Sequence, residues 1–404
     1  MAVGTLTVTG GKFHLSGNPL KINIAGATIP AGATNYKVLC KVISADSLLI
    51  GAPFIDAKTP VSGDAEFDVS GYVDQPIDFE FQYPLTGLVA PRDSHTLDVK
   101  FQPGERYLDA DGDLVENWGD ESETNYVLKG GMSFIDLGKF SDESKTFSSE
   151  YVDKLNFLTK IPTDRVVHPF QPNKLCFVAN SVKEGRIIFY AWFEDKPEYP
   201  YSNPYIHVKN FSTYENIMHE MNASPNTADS THMAPVVAGV KMLYFDYQIN
   251  LLDESDPFVS MRFYVDHNYY ENCNYLFAVN SLGGMDCIWL NGAVEKGFKV
   301  SQVMSVKEWP KAGTRRTRTK IVSNKKGSRT WKINTGYKSA AEMAAMPDLL
   351  LSEQVWLLEN AATFNEGTLY PVVIANAEAL LNNSMDDLHS LELEIEEAHD
   401  NKYF

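Results

Sequence analysis

The sequence predicts a mainly β, multidomain protein, with antiparallel β-sandwich domains followed by a small C-terminal α+β domain. Three observations predict it. Short segments alternate apolar and polar residues, turn residues separate these segments regularly, and 404 residues exceed one ordinary core. The composition is 44% hydrophobic, 12% aromatic and 22% charged, which is typical of a folded chain and excludes a disordered one.

Residues 1–125 are predicted to form an N-terminal β-sandwich. Every second residue is apolar from Ile77 to Tyr83 and again from Leu97 to Phe101. This period of two places one strand face in a core and the other in water. Turn signals such as Gly17-Asn18-Pro19 separate the strands. The acidic, turn-rich residues 104–125 predict a long hairpin loop or a linker at the domain boundary.

Residues 126–304 are predicted to form a central β-rich domain. Its clearest strands run from Leu243 to Leu251 and from Val259 to Val265, where apolar residues again alternate. A short helix is predicted within 141–160. The polar stretch 212–234 predicts a surface loop.

Residues 305–404 are predicted to form the C-terminal α+β domain. A strand at Thr330–Ile333 precedes a helix that begins at Ala340. Ser339 and Glu342 have the spacing of a capping box, and Pro347 predicts that the helix breaks or restarts there. Further strands are predicted at Val355–Leu358, Tyr370–Ile374 and Leu391–Ile395.

The cysteines and the N-terminus predict a protein that is made and folded in a cytoplasm. The four cysteines, Cys40, Cys176, Cys273 and Cys287, are scattered without a CxxC pair, which favours free thiols over disulfides or zinc. The start MAVGTLTVTG has neither a basic segment nor an apolar block, so no signal peptide is expected. No apolar run reaches the ~20 residues of a membrane helix, and no membrane partner is predicted.

Charge is distributed unevenly along the chain. The formal net charge is −18, yet Lys299 to Lys338 contains twelve Lys and Arg against one acid, Glu308. This local balance of +11 leaves about −29 for the rest of the chain. Such polarity favours self-assembly or an acidic protein partner over bulk nucleic-acid binding.

The basic segment is therefore the predicted interface. Its predicted contact residues are Arg315, Arg316, Arg318, Lys320, Lys325, Lys326 and Arg329. A nucleic-acid patch and a plain basic hairpin that turns at 323–327 are the alternatives. A protein partner or a neighbouring subunit is favoured over DNA, and no sequence-specific nucleic acid is predicted. The acidic C-terminal strand, Glu392 to Asp400, offers a complementary surface.

The acidic segment Asp109-Ala-Asp111-Gly-Asp113 has some features of a calcium site. Carboxylates at alternate positions suit a hard cation, but an EF-hand loop needs glycine at position six and glutamate at position twelve. Here Gly112 occupies position four and Asp120 position twelve. A solvated hairpin tip explains the same residues, so no metal site is predicted.

Catalytic motifs are incomplete in this sequence. His219-Glu220 begins like a zinc-protease HExxH, but Ala223 stands where the second histidine belongs. Asp266-His267 could orient a catalytic base, yet no nucleophile motif accompanies the pair. No GxSxG, P-loop or strand-linked GxGxxG is present. The sequence therefore predicts a protein that is not an enzyme and binds no cofactor, although 42 Phe and Tyr leave a glycosidase-type carboxylate pair open.

Most of the chain resembles tail proteins encoded by phages and prophages of Bacteroidetes-type bacteria. The stretches that carry the resemblance are Gly17-Asn18-Pro19, Asp68 to Tyr72, Asn156 to Thr159, Gln171-Pro172, Leu175 to Phe177, Phe277 to Gly284 with Asp286, Asn291-Gly292, Gln354 to Trp356 and Tyr370 to Val373. The resemblance implies a structural component of a virion tail, in a tail tip, collar or baseplate ring. It implies a homo-oligomeric ring that contacts other phage tail proteins, in a virion assembled in the bacterial cytoplasm. The alternative is a module at the tail tip that binds a host-surface glycan or protein.

Overall fold

In this computed structural model the described residues are 3–399, apart from 45–53, 78, 80, 82–88, 134–135, 139, 141–144, 183, 195–203, 225–240, 252–258, 269, 271–272, 307–319, 360–366 and 378–387. The fold is mainly β, with several antiparallel sheets, which confirms the predicted fold class. Among the described residues, no helix is long and apolar enough to cross a membrane.

The N-terminal unit is a sandwich of two sheets. The strands of this segment are β1 (Thr5–Val8), β2 (Phe13–Leu15), β3 (Lys21–Ala25), β4 (Thr34–Ser44), β5 (Phe54–Lys58), β6 (Ala65–Asp68), β7 (Val89–Arg92), β8 (Thr96–Leu108), β9 (Leu114–Trp118) and β10 (Asn125–Leu128), with helix α1 at Ser70–Asp74 and a 3-10 turn at Asp93–His95. All of these strands except β7 belong to the two sheets. One sheet has the order β1-β3-β6 and the other β2-β10-β8-β4-β5, with β9 added to β8. Ile22 and Phe67 from the first sheet pack in one core with Val38, Val99 and Phe101 from the second. The predicted alternation from Leu97 to Phe101 is confirmed in this core, whereas the strand predicted from Ile77 to Tyr83 lies partly outside the described residues.

Residues 104–118 form a β-hairpin, which agrees with the predicted hairpin and not with the predicted linker. β8 continues to Leu108, and β9 pairs back onto it from Leu114. Asp109 closes the turn, because its carboxylate accepts hydrogen bonds from the backbone N–H groups of Asp111 and Asp113. Gly112 has a φ of 86°, a backbone conformation that suits glycine in such a turn. The turn residues that predicted a linker therefore occupy five positions between two paired strands.

The central unit contains β11 (Asp164–Val167), β12 (Lys174–Ala179), β13 (Glu184–Phe193), β14 (Tyr205–Ser212), β15 (Ile217–Asn222), β16 (Met242–Leu251) and β17 (Val259–Val265), preceded by a five-residue π-helix at Ser148–Val152. A five-stranded sheet has the order β11-β17-β16-β13-β14, and a three-stranded sheet has the order β12-β15-β7. β7 thus reaches this unit from the N-terminal segment. Phe177 and Met221 of the small sheet pack against Phe189, Phe245 and Phe263 of the large one.

The surface loop predicted over 212–234 is wrong at its centre, where β15 runs through the interior. Residues 218–222 are all buried, including the polar His219, Glu220 and Asn222. Because these residues are polar, the hydrophobicity pattern of the sequence does not predict a buried strand here. Glu220 pairs with Lys174 and Arg92 of other strands, whereas His219 and Asn222 form hydrogen bonds with the nearby Tyr214 and Ser224.

The C-terminal sheet has seven antiparallel strands in the order β19-β18-β23-β24-β26-β21-β20. These are β18 (Asn274–Val279), β19 (Met285–Leu290), β20 (Val294–Val306), β21 (Lys320–Asn334), β23 (Val355–Glu359), β24 (Thr368–Ala377) and β26 (Glu392–Glu397); the short strands β22 (Lys338–Ser339) and β25 (Leu388–His389) pair with each other. Strands from both sides of residue 304 share this sheet, so it extends across the boundary predicted there.

Helix α2 (Ala340–Leu350) covers one face of the C-terminal sheet. The predicted capping box is confirmed: Ser339 and Glu342 bond reciprocally at its first turn. The predicted break at Pro347 is wrong, because the helix continues through this residue. Met343 and Leu349, on either side of the proline, are buried against the sheet, and this packing offsets the lost backbone hydrogen bond.

A fourth core joins the three units. Phe13 and Leu128 of the N-terminal unit meet Val178 of the central unit and Phe277 of the C-terminal sheet. Cys176 and Cys287 lie in the same core, where burial raises the pKa of each thiol to about 12. All four cysteines are free, as predicted, and Cys273 is only partly buried.

Glycines allow the backbones of this junction to approach closely. A Cβ on Gly284 would lie 2.0 Å from the carbonyl oxygen of Leu158, and one on Gly130 would lie 2.8 Å from the nitrogen of Gly283. We expect Gly284→Ala to lower the free energy of unfolding by about 3 kcal/mol, because backbone must move to admit the methyl group. Urea titration would measure this. Gly71→Ala is the matched control, since its Cβ meets nothing within 4 Å, and a loss no larger than in that control would contradict the account.

Asp286 is a buried carboxyl in the same region. Burial raises its pKa from 3.8 to about 6, although hydrogen bonds from Thr159 and Asn280 act in the opposite direction. The pKa of Asp286 is higher in the folded protein than in the unfolded one. Its contribution to the free energy of unfolding is therefore complete below about pH 4 and is lost as the pH rises through about 6.

We therefore expect wild type to lose about 3 kcal/mol more stability than Asp286→Asn between pH 4 and pH 7.5, since one pKa unit is about 1.4 kcal/mol. Unfolding free energies of both proteins across this range would show it. Asp286→Asn also removes one hydrogen bond at every pH, so the quantity to compare is the slope of the unfolding free energy against pH. Parallel slopes would contradict the assignment.

Candidate functional site

The predicted basic interface lies on the hairpin of β20 and β21. Lys320, Lys325, Lys326 and Arg329 are all on β21. The predicted Arg315, Arg316 and Arg318 lie outside the described residues. The alternative turn at 323–327 is wrong, because these residues lie inside β21, which is continuous from Lys320 to Asn334.

The acidic C-terminal strand lies beside the basic strand within the same chain. β26 pairs with Thr330–Asn334 of β21, and Lys332 forms an ion pair with Glu392 at 2.7 Å. Lys299 of β20 reaches Glu396 at 3.0 Å. Arg329 stacks its guanidinium over Tyr370, with 5.0 Å to the ring centroid. The root of the hairpin, where it lies beside β26, is therefore neutralised within the chain, and these opposite charges favour the observed strand pairing.

Beyond Thr330 the hairpin extends past the sheet as an arm, defined here as residues 298–306 and 320–329. Among the described residues no third strand pairs with the arm. At ~3.3 Å per residue, its nine-residue strand spans about 30 Å. Lys320 and Lys325 are exposed on it and have no carboxylate partner in the described part of the chain.

The arm also exposes apolar side chains. Phe298, Val300, Val303 and Met304 are each about half exposed, between 49% and 57%. The ring of Phe298 lies over Gly327, where a Cβ would come within 2.4 Å of it. An isolated two-stranded hairpin is marginally stable in water, and its open edge is a template for pairing with another chain. Its basic and apolar side chains thus form a surface suited to a protein partner.

Glu220 forms a buried ionic network, whereas the neighbouring His219 accepts a hydrogen bond from the backbone N–H of Tyr214. Glu220 accepts from Lys174 and from Arg92, each at 2.9 Å, so three adjacent strands are linked. Lys174 lies over the ring of Phe81 at 4.6 Å. Burial alone would raise the pKa of Glu220, and the attraction of both cations lowers it below its usual value. His219 stacks on Phe177, and burial lowers its pKa to about 4.

The other predicted chemical groups have structural partners. In the described part of the chain, no three His, Cys, Asp or Glu residues lie close enough to hold a metal ion, and Asp109 caps its own turn. Asp266 accepts from the hydroxyl of Tyr270 at 2.6 Å. His267 bonds the carbonyl oxygen of Met242 at 2.6 Å. The Asp266-His267 pair therefore has no mutual hydrogen bond.

A cavity of about 670 Å³ lies at the end of the β20–β21 hairpin that is distant from the arm, where β20 begins and β21 ends, and no catalytic motif of the sequence indicates it. The turns at 291–293 and 334–337 and the start of α2 surround it. Its lining includes Trp289, Tyr337 and Lys338. The only sequence signals were the turns Asn291-Gly292 and Asn334-Thr335-Gly336, because the lining residues are far apart in the chain.

Comparisons with known proteins do not assign the chain to a family. Neither a scan against protein-family models nor a search of curated proteins finds a match. The arm and the cavity must therefore be interpreted from their own residues.

Proposed function

We propose that the chain is a structural subunit of a phage virion tail, in a tail tip, collar or baseplate ring, and that it acts by assembly rather than catalysis. The observation that carries the proposal is the arm, whose exposed apolar and basic side chains continue a well-packed sheet. A second copy of this chain is the first expected partner. Other tail proteins are the next expected partners.

Charge supports a head-to-tail contact between copies. The arm presents Lys320 and Lys325, which have no carboxylate partner among the described residues, while the chain as a whole has a net charge of −18. An arm of one sign and a body of the other attract when different surfaces meet, and repeated heterologous contacts close into a ring when the rotation between copies divides a full turn. The resemblance of the sequence to phage tail proteins provides the assignment to a virion.

The assignment to a virion can be tested with purified particles from the bacterium that carries the gene. Quantitative peptide mass spectrometry should find the chain at a fixed ratio to other tail proteins, and immunogold labelling should place it at one end of the tail. Particles that lack the chain while host lysate contains it would refute the tail assignment.

A further inference from the structure

Another cavity, named here the junction cleft, lies between the N-terminal sandwich and the C-terminal sheet and has a volume of about 650 Å³. The loops that follow β10 and β18, the end of α1 and the last turn of α2 line it. Its charged lining residues are Asp74, Lys129, Asp136, Lys160, Asp348 and Glu353. Four carboxylates therefore face two ammonium groups, and the described lining has a net charge of −2.

Each lysine of the junction cleft is shared between two carboxylates. The ion pairs are Lys129 with Asp74 (2.9 Å) and Glu353 (3.7 Å), and Lys160 with Asp136 (3.1 Å) and Asp348 (3.3 Å). The side chain of Glu353 is 80% exposed and that of Asp74 is 34% exposed, so both carboxylates have surface open to a further cation. The excess negative charge is thus accessible, and a basic partner complements it.

The junction cleft also exposes apolar surface at its rim. Leu351, at the end of α2, is 82% exposed, and Ala344 and Pro347 on the same face of this helix also line the cleft. The backbone carbonyl groups of the last helical turn add partial negative charge there. A partner that fits the cleft must therefore combine basic and apolar side chains, as the arm does with Lys320 and Met304.

The arm and the junction cleft lie at opposite ends of the C-terminal sheet. β18 ends at the cleft, where Val279 belongs to the lining. Neighbouring strands are antiparallel from β18 through β23, β24 and β26 to β21, so β21 runs in the same direction as β18. Lys320, at the start of β21, therefore lies at the far end of the sheet. Because the arm points away from the cleft of its own chain, the two surfaces can meet between copies but not within one.

We propose that the junction cleft of one copy binds the arm of the next. The ammonium groups of Lys320 and Lys325 contact its carboxylates, and the apolar side chains of the arm pack against Leu351. The inference rests on the proposed assembly role and names the acceptor surface that this role requires. Because the contact joins opposite ends of the molecule, it is heterologous, and copies add head to tail.

The first test makes the cleft basic. Leu351→Lys with Glu353→Lys changes two exposed positions, so the melting temperature should stay within a few degrees of wild type. Analytical ultracentrifugation should show a dissociation constant for assembly at least about tenfold higher, because the arm then meets like charge. The matched control is Val182→Lys with Glu184→Lys, an exposed apolar and an exposed acidic residue at the same spacing in the chain.

Assembly of the cleft variant as strong as that of the control would overturn the proposal. This outcome is distinct from failure of the assembly role. If deletion of the arm still abolished assembly, the arm would remain the contact and only its acceptor would be wrong.

The second test mixes two defective copies. A copy without residues 298–329 keeps the cleft, and the copy with Leu351→Lys and Glu353→Lys keeps the arm. Each should be monomeric alone, and the mixture should form a one-to-one dimer that does not grow further, because neither free end can bind another copy. A mixture that remains monomeric would overturn the proposal.

The third test identifies the occupant of the cleft in assembled particles. Leu351→p-benzoylphenylalanine places a photoreactive group at the rim of the cleft, and mass spectrometry identifies the crosslinked peptide. Adducts with arm peptides of another copy are expected. Adducts with a different tail protein in their place would assign the cleft to that protein and overturn the proposal.

Discussion

Replacing residues 298–329 with an Asn-Gly turn is expected to yield a folded chain that no longer self-assembles. Gly297 and Thr330 face each other across the hairpin, so a two-residue turn can join them without strain. The arm adds little to the described cores, and we expect the melting temperature to change by only a few degrees. Sedimentation velocity should show oligomers for wild type and a monomer for the variant.

Point variants separate the two kinds of contact in the arm. Val303→Ser with Met304→Ser should reduce assembly at all salt concentrations, because it removes apolar contact area. Lys320→Gln with Lys325→Gln should reduce assembly mainly at low salt. Val61→Ser, at an exposed valine outside the arm, should have no effect. An arm deletion that still assembles as wild type would refute the arm as the contact.

Glu220→Gln is expected to lower the free energy of unfolding by about 3–5 kcal/mol. The substitution removes the carboxylate that Lys174 and Arg92 share and leaves two cations at the buried site. Urea titration at pH 7 measures the loss. Because the folded pKa of Glu220 is lowered, its contribution is present above the usual glutamate range and disappears as the pH falls through the folded value.

A compensating variant tests whether the loss arises from unbalanced charge. Glu220→Leu combined with Lys174→Met removes the pair and keeps apolar volume, so it should be more stable than Glu220→Gln alone. Glu66→Gln is the surface control, since the exposed pair with Lys21 contributes little. A loss below about 1 kcal/mol in Glu220→Gln would contradict a structural role for the network.

Much of the fold could be predicted because many strands have one buried and one solvent-exposed face. β17 and β26 alternate apolar and polar residues, and each lies where the pattern placed it. β15 could not be found in this way, since Glu220 is buried only because Lys174 and Arg92 converge on it from other strands. The prediction of a helix break at Pro347 was wrong for a similar reason. The local sequence predicts a break, but packing on the sheet maintains the helix.

The candidate site was predicted in part. The cluster of Lys and Arg residues predicted an interface that includes Lys320 through Arg329, and the structure places these residues on one strand. Sequence alone could not show that β26 neutralises the root and leaves the arm exposed. The cavity at Lys338 was missed because Trp289 and Tyr337 come from separate segments, and a single lysine has no distinguishing pattern.

Photo-crosslinking from the arm tests the assembly role most directly. Phe298→p-benzoylphenylalanine places a reactive group at a half-exposed arm position, and the same group at Val182, an exposed residue in the central unit, is the control. Irradiation of the assembled protein should give adducts of two chain masses from position 298 and few from position 182. Equal yields at both positions, or no adduct from 298, would contradict an arm that binds a neighbouring subunit.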